Sequence, residues 1–409
     1  MVVGSVKTLS VRKPSLMCYN IIMEDFDYLR NGEVYLDAAC QSLRPRPVID
    51  AVNKYYTEHN SCGERVKYKW GVTTDEKVEE ARESLLKFLK LPKHKYTASF
   101  TLNTTYGINL ILSQIKPEKF KKIITSDIEH NSPFLSTMAY ANRTNTPREV
   151  MTREGDGSID IDNYDFTDSI VVVNAASNID GRKLLNIKDV IKKVHKSGGI
   201  IIIDAAQAMA HSADIVKGCD ADAIVGSAHK MYAPSLGFIA WRNDLMKSLD
   251  DYVLGGGMVD DVERDSYKLS AEGDEHRYTR FEPGLQAWAE IVGFGAAIKW
   301  HEKVPKKSWQ NLEENYTELY EFLNNSAKVH MVGSEPNPTM SFYVEGVDSH
   351  LLGAALSRED IMARTGYFCV HYYLDHVMHY PPLVRFSLGL HNTAEDIEKV
   401  KKVMAKIIK

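Results

Sequence analysis

Between about Tyr35 and Trp300, short apolar runs rich in β-branched residues alternate with segments of helical period. The runs at Lys122–Thr125, Ser169–Val173, Gly199–Asp204, Ala223–Val225 and Phe238–Trp241 predict strands. Ser169–Val173 and Gly199–Asp204 are continuous in apolarity rather than alternating. Strands covered on both faces read this way. A helix predicted at Ile187–Lys196 lies between those two runs, as a right-handed βαβ crossover requires. The repetition implies an α/β architecture. Upstream, Asp75–Lys90 carries Val78, Ala81, Leu85 and Phe88 on one helical face, with Thr74 as the expected cap and Asp75 and Glu76 in the first turn.

Beyond Trp300 the pattern changes. A helical stretch, Trp309–Asn325, precedes strands near Thr339–Val344 and Val384–Leu388, and a basic amphipathic helix is expected over Ala394–Ile408. This is α+β in character. The expected division is an N-terminal segment 1–34 packing with a small C-terminal domain 301–409, around a large domain 35–300.

Composition excludes several classes. With 409 residues, 44% hydrophobic and 26% charged, the chain suits a soluble globular protein of two unequal units. A formal charge of -5 leaves no basic footprint for nucleic acid or anionic membrane. No apolar run approaches a spanning helix, and the first twenty residues lack the apolar core of a signal peptide, so a cytoplasmic address is expected. Cys18, Cys40, Cys62, Cys219 and Cys369 are scattered without CxxC spacing, which argues against a disulfide framework and a structural zinc; no metal site is expected.

One residue sits oddly in this pattern. Lys230 follows Gly226-Ser227-Ala228-His229 and precedes the apolar strand around Phe238. Lysine is rarely buried unless something pairs with it. Asp204 ends the strand IIIID, where a carboxylate faces the ligand crevice of an α/β fold. A lysine that forms a Schiff base with pyridoxal 5'-phosphate, and an aspartate that keeps the pyridine nitrogen protonated, would account for both. Capping of the following AAQAMA segment is the plain alternative for Asp204. Such a cofactor needs a phosphate cradle, and Thr104 and Thr105 in LNTTYG open a helical pattern with small hydroxylated residues.

With these residues in place, the chain resembles the class V aminotransferase-fold enzymes, and among them the cysteine desulfurases and selenocysteine lyases. The resemblance rests on VYLDAACQSLRPRPVIDAV, FTLNTTYGINL, DIEHNSPF, SNIDGRKL, IIIDAAQAMAH, GSAHKMYAPSLGFI, RFEPG, RTGYFC and VRFSLGLHNTAED, in family order over about residues 34 to 400. It implies the fold type I of pyridoxal-phosphate transferases: a large domain on a mostly parallel seven-stranded sheet and a small α+β C-terminal domain. It implies His130 stacked on the cofactor ring, Asn178 beside the ring oxygen and the substrate carboxylate, and Gln207 donating to that oxygen. Ser227 and His229 would join Thr104 and Thr105 around the phosphate, and Arg385 would bind the substrate carboxylate. Cys369, at the end of RTGYFC, occupies the position of the sulfur-accepting cysteine. The implied reaction removes sulfur from L-cysteine, leaving L-alanine and an enzyme persulfide that passes to an acceptor thiol or protein. A homodimer is implied as well.

Some positions depart from the family. Leu285 follows RFEPG where desulfurases carry a threonine that reaches the neighbouring subunit's phosphate. Tyr367-Phe368 replace a common histidine pair, and Val370–Tyr380 is unusually rich in aromatics and histidine, either lining an altered pocket or packing as a lid. These leave open a selenocysteine lyase, a cysteine or cystine β-lyase, an epimerase or an aminotransferase, with Cys369 a bystander. A non-catalytic scaffold would have no reason to keep Lys230, Asp204, His130 and Arg385 together. A nicotinamide enzyme fails because no GxGxxG follows an early strand.

Overall fold

The computed structural model describes residues 24–30, 32–63, 66–270 and 277–408. Its centre is a seven-stranded sheet. In chain order the strands are β1 (Tyr96–Thr101), β2 (Lys122–Ser126), β3 (Arg148–Met151), β4 (Ser169–Asn174), β5 (Ile200–Asp204), β6 (Ala223–Ser227) and β7 (Gly237–Arg242). They lie side by side as β1-β7-β6-β5-β4-β2-β3. β7 runs antiparallel to both of its neighbours, and the other pairs are parallel.

The continuous apolar runs have the explanation their sequence suggested. Every residue of β4 is buried, because both faces of the sheet are covered. Val171, Val173, Ile201 and Ile203 enter one core, and Ile170, Val172 and Ile202 enter another on the opposite face. That is the two-residue period of a strand, with neither phase facing water. The helices α1 (Arg46–Glu58) and α2 (Lys69–Phe88) cover the first face; α3 (Thr104–Gln114) and α4 (Asn131–Thr144) cover the second. α5 (Ile187–Lys196) occupies the predicted range and lays Ile187, Val190, Ile191 and Val194 into the first core, each such burial contributing about 1.5–3 kcal/mol. α6 (Trp288–Lys303) packs on α1 and α2 and is buried nearly all round.

Thr74 is not a cap. α2 begins at Lys69, and Thr74 is fully buried inside it, its hydroxyl donating to the carbonyls of Trp70 (3.1 Å) and His59 (3.3 Å). A threonine bonding back to the preceding turn competes with its capping tendency once tertiary burial extends the helix past it.

The C-terminal part holds α7 (Lys306–Asn324), α8 (Ser349–Arg358) and α9 (Ala394–Ile407). Its sheet contains β8 (Val329–Val332), β9 (Thr339–Val344), β10 (Arg364–Gly366) and β11 (Leu383–Ser387) in the order β8-β9-β11-β10, antiparallel throughout. Thr393 and Asp396 close a capping box at the start of α9. Phe26, Val34 and Leu36 join the core of this part, and Val34–Tyr35 pairs in parallel with Ile361–Met362. Residues 1–23 of the expected N-terminal segment lie outside the described residues.

Candidate active site

A cavity of about 270 Å³ opens where β4, β5 and β6 reach their C-terminal ends at Asn174, Asp204 and Ser227. Parallel strands place ligands at this edge because their connecting loops converge there. Thr104, Thr105, His130, Asn178, Asp204, Gln207, Ser227, His229, Lys230, Cys369 and Arg385 all line it. The structure thus brings together every site residue expected from the sequence, whereas Leu285, the position that departs from the family, does not join them. That side chain is 78% exposed and lies outside the cavity.

One wall is a cradle of hydroxyls at the N-terminus of α3. Asn103 caps the helix by accepting from the Tyr106 N–H at 2.9 Å. The Thr104 N–H donates to Ser227 Oγ at 3.1 Å, the Thr104 and Ser227 hydroxyls lie 2.6 Å apart, and those of Thr105 and Ser132 lie 2.5 Å apart. Gly107 lets the helix lie this close to β6, since a Cβ there would stand 2.8 Å from Val225 Cγ1. Hydroxyls and the positive end of a helix dipole together form an anion site.

Facing the cradle, Asp204 is buried, and one carboxylate oxygen accepts the Ala206 N–H at 2.8 Å. Burial pushes its carboxyl above the usual range against the pull of Lys230. Lys230 follows β6 in a single helical turn and donates to Gln207 Oε1 at 3.4 Å. Burial lowers its pKa, with Asp204 opposing. A lysine in this setting is readily neutral and hence nucleophilic. The Gln207 amide reaches Thr339 Oγ1 at 3.5 Å.

His130 caps α4. Its Nδ1 accepts the Ser132 N–H at 3.0 Å, which leaves Nε2 to carry the proton of the neutral ring. Burial, with Lys230 and Arg385 nearby, pushes its pKa down to about 3. His229 falls to about 4 by burial and the charges of Lys230 and Arg44. Both rings are therefore neutral at pH 7.

The opposite wall comes from the C-terminal part. Arg385 is buried on β11; its Nη1 donates to Asn178 O at 2.9 Å and its Nη2 to Asp37 Oδ1 at 3.1 Å, while Nε has no partner among the described residues. The Asn178 amide donates to Phe368 O at 2.8 Å, so it holds the loop carrying Cys369. That loop is strained. Gly366, Phe368 and Cys369 have φ of 115°, 48° and 60°. Two consecutive non-glycine residues in the left-handed region persist only where surroundings enforce them. Here the Asn131 N–H grips Cys369 O at 2.6 Å, and Phe368 is buried beside Ile128, Ile179 and Leu374. The Cys369 side chain is left exposed at the cavity.

Sequence reasoning missed Cys40 and Arg364, which also line this wall, and Asp37, which pairs with Arg364 and Arg385. Arg364 Nη1 donates to Cys40 Sγ at 3.2 Å and lies 3.6 Å from Asp37. Each sits inside a motif already singled out, but none carries a periodic signal of its own. The aromatic segment after Cys369 packs through three buried side chains and is otherwise mostly exposed. Val370, Tyr373 and Leu374 are buried, Tyr372 stacks on Phe134 at 4.7 Å, and the segment does not reach the cavity. RFEPG acts at a distance: Glu282 makes a buried two-pronged ion pair with Arg82, at 2.6 and 2.5 Å, and accepts the Phe100 N–H of β1.

Comparison with known proteins bears on the fold and the family. The chain is 28% identical over 398 residues to a probable cysteine desulfurase of Methanothermobacter thermautotrophicus, covering 94% of this chain and 97% of that one. It is 26% identical over 388 residues to a probable cysteine desulfurase of Vibrio cholerae, covering 92% and 94%. The solved apo cysteine desulfurase of Thermococcus onnurineus superposes with a TM-score of 0.82 at 24% identity, over 92% of this chain and 95% of that one. A cysteine desulfurase from Escherichia coli gives 0.83 at 21%, over 95% and 98%. At such identities the superpositions speak for the fold. The sequence pattern of the Aminotransferase class-V family matches residues 34–400, and the chain belongs to that family.

Proposed function

We propose that this protein is a pyridoxal-phosphate-dependent cysteine desulfurase, taking L-cysteine to L-alanine and an enzyme persulfide. The single observation that carries this reading is the placing of Cys369, exposed on an enforced left-handed loop, at the same cavity as Lys230 and Asp204.

The residues fit the cofactor. A phosphate suits the hydroxyl cradle at α3, and a protonated pyridine nitrogen suits a buried Asp204 carboxylate otherwise paired with a single backbone N–H. Thr104, Thr105, Ser227 and His229 would hold the phosphate, with His130 over the ring and Asn178 and Gln207 at its edge. When bound, the group supplies an electron sink for a carbanion next to the amine.

The protein's own groups then divide the work. Lys230 would anchor the cofactor and would take the α-proton as general base, a role helped by its lowered pKa. The buried Arg385 guanidinium, which lines the cavity, would bind the substrate carboxylate. His130, neutral with its proton on Nε2, can donate towards the substrate. Cys369 Sγ attacks the substrate sulfur: the S–C bond breaks as the S–S bond forms, and the carbon skeleton leaves as alanine after protonation.

Two further assignments belong to this reading. Exposed apolar side chains at Leu102, Leu135 and Leu285 support a homodimer, and the two separate cores support a division near residue 300 with residues 24–34 on the C-terminal side. The four described cysteines are free thiols, which suits the reducing cytoplasm; among the described residues no helix is long and apolar enough to cross a membrane.

The test is a single turnover of cofactor-loaded protein with L-cysteine, following alanine and cofactor absorbance. Alanine with a persulfide on Cys369, lost in Cys369→Ser, is the expected result. Full alanine formation by Cys369→Ser would remove the sulfur-accepting role. A coloured protein that converts L-cysteine to another product would move it to a different class V chemistry.

A further inference from the structure

Phe368 has no part in the reaction above, yet it lines the cavity and immediately precedes Cys369. The Arg385 guanidinium lies over its ring, with the central carbon 4.8 Å from the ring centre. That is within the range of a cation–π contact. Two hydrogen bonds close the circuit. Arg385 Nη1 donates to Asn178 O at 2.9 Å, and the Asn178 amide donates to Phe368 O at 2.8 Å. Arg385, Asn178 and Phe368 all line the cavity, and all three are buried.

Each member of this triangle constrains the next. The bonds from Nη1 to Asn178 and from Nη2 to Asp37 fix two nitrogens of the guanidinium but leave its plane able to tilt about the line between them. A ring packed on the cation resists that tilt. Two-pronged recognition of a carboxylate depends on the plane, so the ring bears directly on what Arg385 can bind. The ring itself has little freedom. Ile128, Ile179 and Leu374 pack around Phe368, and its φ of 48° is one that a non-glycine residue keeps only where its surroundings enforce it.

We infer that Phe368 is a positioning residue: its ring sets the plane in which Arg385 meets the substrate, and so selects for ligands that carry an α-carboxylate. The inference rests on the desulfurase reading's assignment of Arg385 to the substrate carboxylate. Phe368 touches no reacting atom and acts through Arg385. Without the ring, the carboxylate binds more weakly while the steps at sulfur, which belong to Cys369, keep their rate. KM then rises and kcat does not fall, the mark of a binding interaction that is equal in ground and transition states.

The experiment uses full-length, cofactor-loaded protein. It compares L-alanine with ethylamine, which has the amine but no carboxylate, each titrated by the absorbance of the bound cofactor. Wild type should bind L-alanine more tightly than ethylamine. Phe368→Leu should weaken L-alanine about tenfold and leave ethylamine within about twofold, with KM for L-cysteine rising by about the same factor at unchanged kcat. Phe368→Tyr, which keeps the ring, should restore L-alanine binding. Equal weakening of both ligands in Phe368→Leu, or no weakening of either, would overturn the positioning role and leave the desulfurase reading intact. A fall in kcat at constant KM would overturn it as well. Failure of both Phe368→Leu and Phe368→Met to take up the cofactor would make the ring a purely structural one, with the same consequence. Wild type that binds ethylamine as tightly as L-alanine would remove the carboxylate role of Arg385, and that of Phe368 with it. The binding comparison needs no turnover, so wild type that prefers L-alanine but forms none from L-cysteine would remove the desulfurase reading alone.

Discussion

The two walls of the cavity are built on different principles. The cradle around Thr104, Asp204, Ser227 and Lys230 sits at strand ends and helix starts, with backbones supported by a sheet buried on both faces. The Cys369 wall is a loop after a three-residue strand, with left-handed φ at Gly366, Phe368 and Cys369. The first wall gains precision from elements that would exist without the site. The second exists only because Asn178, Asn131 and a small apolar cluster hold it. Binding a cofactor calls for the rigid kind. A thiol that must reach substrate and then release sulfur is better placed on a segment whose conformation depends on a few contacts.

Substitutions can break this contrast, and the largest effect belongs to the cradle. Lys230→Ala should cut alanine formation by ~10³-fold or more, with the fold intact by circular dichroism. Retained turnover would contradict the assignment of the general base. Next comes the sheet beneath it. Glu282→Ala leaves Arg82 charged and buried without its partner, and urea unfolding should show a loss of about 3–5 kcal/mol. A loss no greater than that of a surface mutant would mean that β1 is not held by this pair.

On the C-terminal side the contrast can be sharpened through pH. His391 is buried, bonded to Tyr35 O at 2.9 Å, and burial holds its pKa at about 4. Between the unfolded value near 6.5 and about 4, the unfolded chain binds the proton and the folded one does not. This group therefore supports stability fully above pH 6.5, and that support is lost as pH falls towards 4. Relative to His391→Gln, which keeps a donor for Tyr35 O, the wild type should lose up to ~1.4 kcal/mol per pH unit in that window. Parallel stability profiles would show that His391 is protonated in the fold. The smallest effect is expected at the loop itself. Asn178→Ala removes the bond to Phe368 O and should cost about 1 kcal/mol in global stability. Persulfide formation on Cys369 should slow more than cofactor binding weakens; an equal loss in both would place Asn178 in the cradle rather than under the loop.

The sequence alone determined the α/β architecture and most of the cradle. Uninterrupted isoleucine and valine cannot stay in water on either face of a strand, so SIVVV and IIIID had to lie between helix layers. Asp204 and Lys230 then had to emerge at strand ends. The start of α2 was not readable, because it depends on burial of Thr74 against distant residues rather than on a local cap. Nor was β10, three residues long and paired only through β11. Tertiary structure alone decided that Asp37, Cys40, Arg364 and Arg385 share one wall, and that Cys369 is presented rather than buried. These residues come from opposite ends of the chain and meet through Arg385's bonds to Asp37 and Asn178. Periodicity records which residues leave water, whereas charge and thiol placement in a cavity depends on contacts between segments that no local pattern encodes.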